Sequence, residues 1–219
     1  MTDSTANAPT WALRAHAAFE WVWWIAYLNL LWWAFTLLGV IVLGVVPASV
    51  AGAELTRRRL RGEVFPVGRE FAAAWRRELW RSNVALGAGF VVTAMLAVAV
   101  VGRIGAGAIG DPVGILSVVA LLAAFAITAV AVPLYAHYDL PLRAYLLTAG
   151  RWATRNILHV LLLLLGAVAV AGIGSILPGV IPFFSAGAWL TLSTVLCVAL
   201  FTANDRALAE REATASTSS

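Results

Sequence analysis

Apolar positions along the chain gather into five long stretches, at roughly 21–46, 84–101, 113–136, 157–177 and 181–203. The hydrocarbon core of a bilayer accommodates about 20 helical residues, so each stretch predicts a membrane-crossing helix. The second is short, and Asn83 and Gly102 extend it. The first would reach about 39 Å at the helical rise of about 1.5 Å per residue, so it is expected to tilt or protrude. No side chain between Glu20 and Glu54 is ionised at neutral pH. A soluble core helix keeps a polar face over such a distance, and this segment has none.

Two of the polar stretches keep a helical period. On a 100° wheel over 68–82, Phe71, Ala74, Trp75 and Leu79 share a face, with Arg69, Arg76, Arg77 and Arg81 elsewhere. Over 142–156, Tyr145, Leu146, Ala149, Trp152 and Ala153 oppose Arg143, Thr148, Arg151 and Arg155. Both predict amphipathic helices lying in the cytoplasmic interface, apolar face down, with arginines toward anionic headgroups. A weaker segment of the same kind, 53–60, follows the first span. Each pair of spans therefore flanks a polar linker. Pro47 and Arg81-Ser82-Asn83 in the first unit match Pro133 and Arg155-Asn156 in the second. A parallel duplication and the shared grammar of membrane helices both account for that pattern.

Charge sets an orientation. All fifteen basic residues are arginine, and with five crossings only Arg14 and Arg103 fall on the side opposite the other thirteen. The positive-inside rule then predicts the N-terminus outside and the C-terminus in the cytoplasm. The expected organisation is a short N-terminal segment (1–19), a polytopic membrane domain (20–204) and a disordered tail (205–219), with residues 1–10 frayed. Ala51-Gly52-Ala53 looks like a signal-peptide cleavage site. The apolar run before it is too long for a signal core, and the basic cluster follows it instead of preceding it. The composition agrees with a membrane protein: 62% of residues are apolar and 12% charged, against roughly 25% charged in soluble chains. Because the arginines border lipid-length spans, they suit an anionic membrane surface and not nucleic acid.

Candidate chemistry is sparse. No predicted span contains Asp, Glu, Lys or Arg, which weakens an ion pathway. No phosphate-binding loop, zinc-protease motif or nucleophile elbow is present. His16, His137 and His159 lie in separate segments without ligand spacing, so no metal and no cofactor are expected. Cys197 stands alone in an apolar run and reads as a small buried hydrophobe. His137 and Asp139 form the one conceivable acid–base pair, and a helix-end hydrogen-bonding cluster is the plainer reading. Glu78 falls within the apolar face of 68–82. A local pair with Arg81 or snorkelling to the headgroups accounts for it, as does receipt of an arginine from a partner or from Arg151 or Arg155.

The intramembrane candidates are Asn29, Trp32, Gly39, Gly44, Pro47, Asn83 and Asn156. Asn29 must hydrogen-bond to another helix. Trp32 is too deep for an interfacial belt and either packs or stacks on a ligand. Gly39 and Gly44 allow close helix approach, and Pro47 is expected to end or kink the first span. The candidates for docking or headgroup contact are Arg69, Arg76, Arg77, Glu78, Arg81, Arg151 and Arg155.

The series Asn29-Leu30-Leu31-Trp32, Gly39, Gly44 and Pro47-Ala48, then Phe71, Trp75 and Arg81-Ser82-Asn83, resembles the YesL-like family of bacterial membrane proteins. That family is built on a domain of unknown function. The resemblance is strongest over 27–83 and continues diffusely to about residue 203. Arginine stands here where lysines are common in the family, which conserves charge. Members are typically encoded beside sugar-uptake ABC transporters and polysaccharide-degrading enzymes, so the resemblance implies a carbohydrate-related role and carries over no catalytic residue. The expected protein is an all-α, five-span protein of the bacterial inner membrane with two cytoplasmic interfacial helices. It would act as a non-enzymatic accessory or scaffold subunit for carbohydrate uptake. The alternative is a small stand-alone transporter or channel, with Asn29, Trp32, Asn83 and Asn156 near a polar path. Anionic lipids, a sugar ABC transporter and a second copy of the chain are the candidate partners.

Overall fold

The computed structural model describes residues 10–177 and 181–217, and its regular structure there is helical. The helices are α1 (Thr10–Leu38), α2 (Val45–Leu60), α3 (Val67–Gly105), α4 (Pro112–His137), α5 (Tyr145–Arg155), α6 (Ile157–Ile176) and α7 (Ile181–Thr217). Five are long and apolar enough to cross a membrane: α1, α3, α4, α6 and α7. The chain is thus an all-α, multi-pass membrane protein.

The first apolar stretch is not one helix. α1 stops at Leu38, and residues 39–44 form a turn closed by bonds from Gly39 N to Phe35 O (3.1 Å), Ile41 N to Thr36 O (2.9 Å) and Gly44 N to Ile41 O (3.1 Å). A Cβ at Gly39 would run into the Gly44 backbone, and one at Gly44 into the Thr36 carbonyl. Only glycine permits that approach. Pro47 does not end a span; it lies in the first turn of α2, where its missing N–H removes no helical bond.

α2 returns antiparallel to α1. Trp32 Nε1 donates to Ser49 Oγ at 3.0 Å, and Arg59 reaches the Glu20 carbonyl at 3.4 Å. The same guanidinium lies over the rings of Trp21 (5.1 Å) and Trp24 (4.9 Å). The arginines of α2 therefore sit beside residues 20–24 of α1. An uninterrupted crossing from 21 to 46 would place a bilayer between them, so the orientation expected on that basis does not follow from this hairpin.

α2 is the central element. Ten of its residues are buried, among them Ala48, Ser49, Ala51, Gly52 and Ala53, and this run of small side chains lets neighbouring helices come close. Such approach matters where lipid removes the hydrophobic drive for helix association. One core cluster joins Val46 and Val50 to Leu86, Val130, Leu134, Tyr145 and Phe201. The other joins Ala51 and Leu55 to Trp24, Leu28, Phe71, Trp75 and Leu190.

Residues 68–82 are continuous with the second span in α3, a single helix of 39 residues. Ser82 Oγ donates to Glu78 O (2.7 Å) and Asn83 Nδ2 to Leu79 O (2.6 Å), so these polar residues are satisfied without a break. The apolar face of 68–82 covers protein: Phe71 and Trp75 pack on Phe35 at 5.2 and 5.4 Å. α5 is a separate helix, as expected, but it starts at Tyr145 and also buries its apolar face on protein, with Tyr145 against Tyr135 at 4.6 Å. Asn156, at φ −123° and ψ 55°, separates α5 from α6. The corresponding Asn83 lies inside α3, so the two linkers are built differently. The tail expected to be disordered continues α7 as far as Thr217, and α1 begins at Thr10. The fraying expected at residues 1–9, and the last two residues of the tail, lie outside the described residues.

Candidate functional site

Within the bundle, α1, α2, α3, α4 and α7 line a partly open pocket of about 280 Å³. Trp32, Phe90, Phe125 and Trp189 give it aromatic walls, and Ser49, Thr93, Thr128 and Ser193 give it hydroxyls. Each hydroxyl can donate to a carbonyl of its own helix: Ser49 to Val45, Thr93 to Gly89, Thr128 to Ala124 and Ser193 to Leu190. That leaves hydroxyl oxygens as acceptors, and Thr93 and Thr128 approach each other at 3.2 Å. Among the described residues, no ionisable side chain lines this pocket. Its chemistry suits water or a small neutral molecule.

The polar residues expected to share a path with Trp32 are elsewhere. Asn29 is fully buried against the start of α7, donating to Pro182 O (2.5 Å) and accepting from the N–H groups of Ala186 (2.9 Å) and Gly187 (3.1 Å). Asn83 also donates to Leu43 O (2.9 Å), which ties the α1–α2 turn to α3. Asn156 donates to Trp152 O (2.9 Å) at the α5–α6 break. These three asparagines do packing work at three separate places. Sequence pattern does not single out the hydroxyls that line the pocket, because single Ser or Thr residues in separate helices give no local signal.

The arginine-bearing surface divides into paired and unpaired groups. Arg58 binds Glu63 and Glu70 at 2.8 and 2.9 Å, and Arg61 binds Glu63 at 2.5 Å. Those bonds raise the Arg58 pKa, Glu70 first, and hold Glu63 below its ordinary value, with Arg58 the larger cause. Arg77 binds Glu54 (2.6 Å) and Glu78 (3.0 Å), and Arg81 binds Asp139 (2.9 Å). Glu78 also accepts from Tyr135 Oη at 2.6 Å. Its partners are thus Arg77 and Tyr135, not Arg81, Arg151 or Arg155. By contrast, Arg69, Arg76, Arg151 and Arg155 are exposed and have no ion pair among the described residues. Trp80, one turn beyond Arg76, is 69% exposed.

His137 does not meet Asp139. Its Nε2 lies 3.4 Å from Asp205 of α7, whose other oxygen accepts from Tyr138 Oη at 2.7 Å. Burial, reinforced by that bond, pushes the Tyr138 phenol above its ordinary pKa. Among the described residues, no three His, Cys, Asp or Glu side chains gather as a metal-ligand set.

The family model described as "Protein of unknown function, DUF624" matches residues 25–101, which run from α1 through α2 and most of α3. Three proteins of Bacillus subtilis (strain 168) are similar along most of the chain. YteU is 32% identical over 175 residues, covering 76% of this chain and 75% of its own. YesV is 31% identical over 170 residues, covering 73% and 78%. YesL is 34% identical over 152 residues, covering 68% and 71%. All three are described as uncharacterized proteins. No solved structure matches the chain. With these relatives and an all-helical, multi-pass fold, the chain belongs to the YesL-like family of membrane proteins defined by this domain of unknown function.

Proposed function

We propose that the protein is a non-enzymatic accessory subunit of the bacterial inner membrane that docks onto a carbohydrate uptake transporter through its unpaired arginines. The observation that carries this reading is the division of the arginine surface. Arg58, Arg61, Arg77 and Arg81 are ion-paired within the chain, whereas Arg69 and Arg76 on α3 and Arg151 and Arg155 on α5 are exposed with no ion pair among the described residues. Exposed arginines beside a tryptophan suit an interface, since guanidinium pairs with carboxylate and aromatic faces alike. In this reading they face the cytoplasm, where anionic headgroups share the surface with an acidic patch on the transporter.

The test is purification from native membranes in mild detergent under sugar-uptake conditions. The permease or ATPase subunit of a sugar ABC transporter should accompany the wild-type protein and be lost from a variant with Arg69, Arg76, Arg151 and Arg155 replaced by Gln. Recovery of the chain alone or only as a homo-oligomer, with no effect of its deletion on sugar-dependent growth, contradicts the proposal. The hydroxyl- and aromatic-lined pocket favours a second reading, a small stand-alone transporter for neutral solutes. Protein reconstituted alone in liposomes would then move solute, and Trp189→Ala would change the rate.

A further inference from the structure

A second pocket, of about 240 Å³, opens where the ends of α2 and α4, the middle of α3 and the start of α5 meet. Arg57, Arg81, His137, Tyr138 and Tyr145 contribute to its lining, as do the carboxylates of Glu78 and Asp139. At about 30 Å³ per water, it holds roughly eight waters or one small polyatomic group.

The polar atoms around it are unevenly matched. Glu78 already accepts from Arg77 and Tyr135, and Asp139 from Arg81. Tyr145 Oη accepts from Leu140 N (2.9 Å) and donates to Tyr138 O (3.0 Å). Tyr138 Oη is committed to Asp205. Two nitrogens of the lining remain shielded and without a partner, Arg57 Nε and His137 Nδ1. Arg57 has no ion pair among the described residues, and Glu54 and Glu63 act on it only through space. Burial, then Arg61, lowers its pKa. The pocket thus has satisfied acceptors, a half-buried cation with a shielded Nε and no ion pair among the described residues, and a second cation, Arg81, with guanidinium donors to spare. A shielded guanidinium N–H with no acceptor is unfavourable, and a bound oxyanion supplies acceptors in the geometry a guanidinium fork favours.

We propose that this pocket binds a phosphate-type oxyanion through Arg57 and Arg81, carried either by free phosphate or by the headgroup of an anionic phospholipid. Tetrahedral phosphate offers more acceptor oxygens than a carboxylate to donors arriving from separate helices. Arg81 lies between the exposed Trp80 and Val84, at the start of the apolar stretch of α3, where an arginine in a membrane-spanning helix would meet headgroup phosphates. The inference is independent of the transporter-docking reading, since it uses none of the unpaired surface arginines.

The test uses the full chain in zwitterionic detergent and in phosphatidylcholine nanodiscs with and without phosphatidylglycerol. Binding of inorganic phosphate is measured by calorimetry, and retention of phosphatidylglycerol by native mass spectrometry. Arg57→Gln should weaken whichever anion binds at least tenfold, and Arg81→Gln should weaken it too. Arg14→Gln, which removes the same charge outside the pocket, should leave it unchanged. Arg57→Lys keeps the charge without the fork; it should give intermediate binding and covers the case in which Arg57→Gln does not fold. Phosphate binding in lipid-free detergent identifies the soluble source. Retention of phosphatidylglycerol without phosphate binding identifies the lipid source. If neither anion binds, or the Arg57 and Arg14 variants lose binding equally, the proposal is overturned.

Discussion

Asn29 and Gly187 lock α1 to α7. The Asn29 amide oxygen accepts from Gly187 N at 3.1 Å, and a Cβ on Gly187 would run into the Ile25 carbonyl and crowd Asn29. The hydrogen bond therefore depends on the absence of a side chain at its partner. Asn29→Leu should cost about 1–2 kcal/mol, the range of interhelical hydrogen bonds in membranes. Gly187→Ala should cost about 1–3 kcal/mol, because backbone cannot move aside as a side chain does. Equilibrium unfolding in mixed micelles measures both, and wild-type stability in both variants would show that the two helices are held some other way.

The α1–α2 turn carries two β-branched residues in the left-handed region, Val40 at φ 54° and Ile41 at φ 63°. Ile41→Gly trades about 1–2 kcal/mol of that strain against about 0.5–1 kcal/mol of added chain entropy. Stability should hold or rise slightly. The same substitution at the exposed helical Val98 should lower it by about 1 kcal/mol. Equal losses at the two sites would mean that the turn is not strained as described.

Glu78 and Tyr135 should be coupled. Their bond joins a buried carboxylate on α3 to α4. Tyr135→Phe should cost about 1–2 kcal/mol and Glu78→Ala about 2–3 kcal/mol, as for hydrogen bonds to charged groups. The double variant should fall short of the sum by about 1 kcal/mol. Strict additivity would separate the two residues.

Tyr138 makes stability fall at alkaline pH. Its folded-state pKa is raised by burial and by Asp205, so above the unfolded value of about 10 the folded state holds a proton that the unfolded state has lost. Stability is full below about pH 10 and declines as the pH rises from there toward the folded-state value. The loss from pH 9 to 11 should be smaller in Tyr138→Phe, and parallel pH profiles would contradict the assignment.

The residues most legible in the sequence were those whose message is local. Apolar length gave the spanning helices, and the wheel over 142–156 gave the buried face of α5. Asn29 was readable as interhelical because an unpaired amide in lipid has no other outlet. The turn at 39–44 was hidden because Val40, Ile41, Val42 and Leu43 are as apolar as any span, and hydropathy does not register a change of direction. The continuity of α3 was hidden for the opposite reason. Arg81, Ser82 and Asn83 looked like a boundary, yet Ser82 and Asn83 bond back to the preceding turn and the helix runs on. Both pockets are assembled from residues far apart in sequence, and Arg57 only becomes distinctive once Glu63 and Glu70 are seen to take Arg58 instead.

Site-specific photo-crosslinking in living cells tests the docking reading most directly, with a photoreactive residue at position 76 on the unpaired face of α3 and at position 98 on its apolar stretch. The expected result is an adduct from position 76 with the permease or ATPase of a sugar uptake transporter, absent from position 98 and lost when Arg69, Arg151 and Arg155 are changed to Gln. Adducts from position 76 with lipid alone, or only with a second copy of this chain, would contradict the assignment of this surface to a transporter.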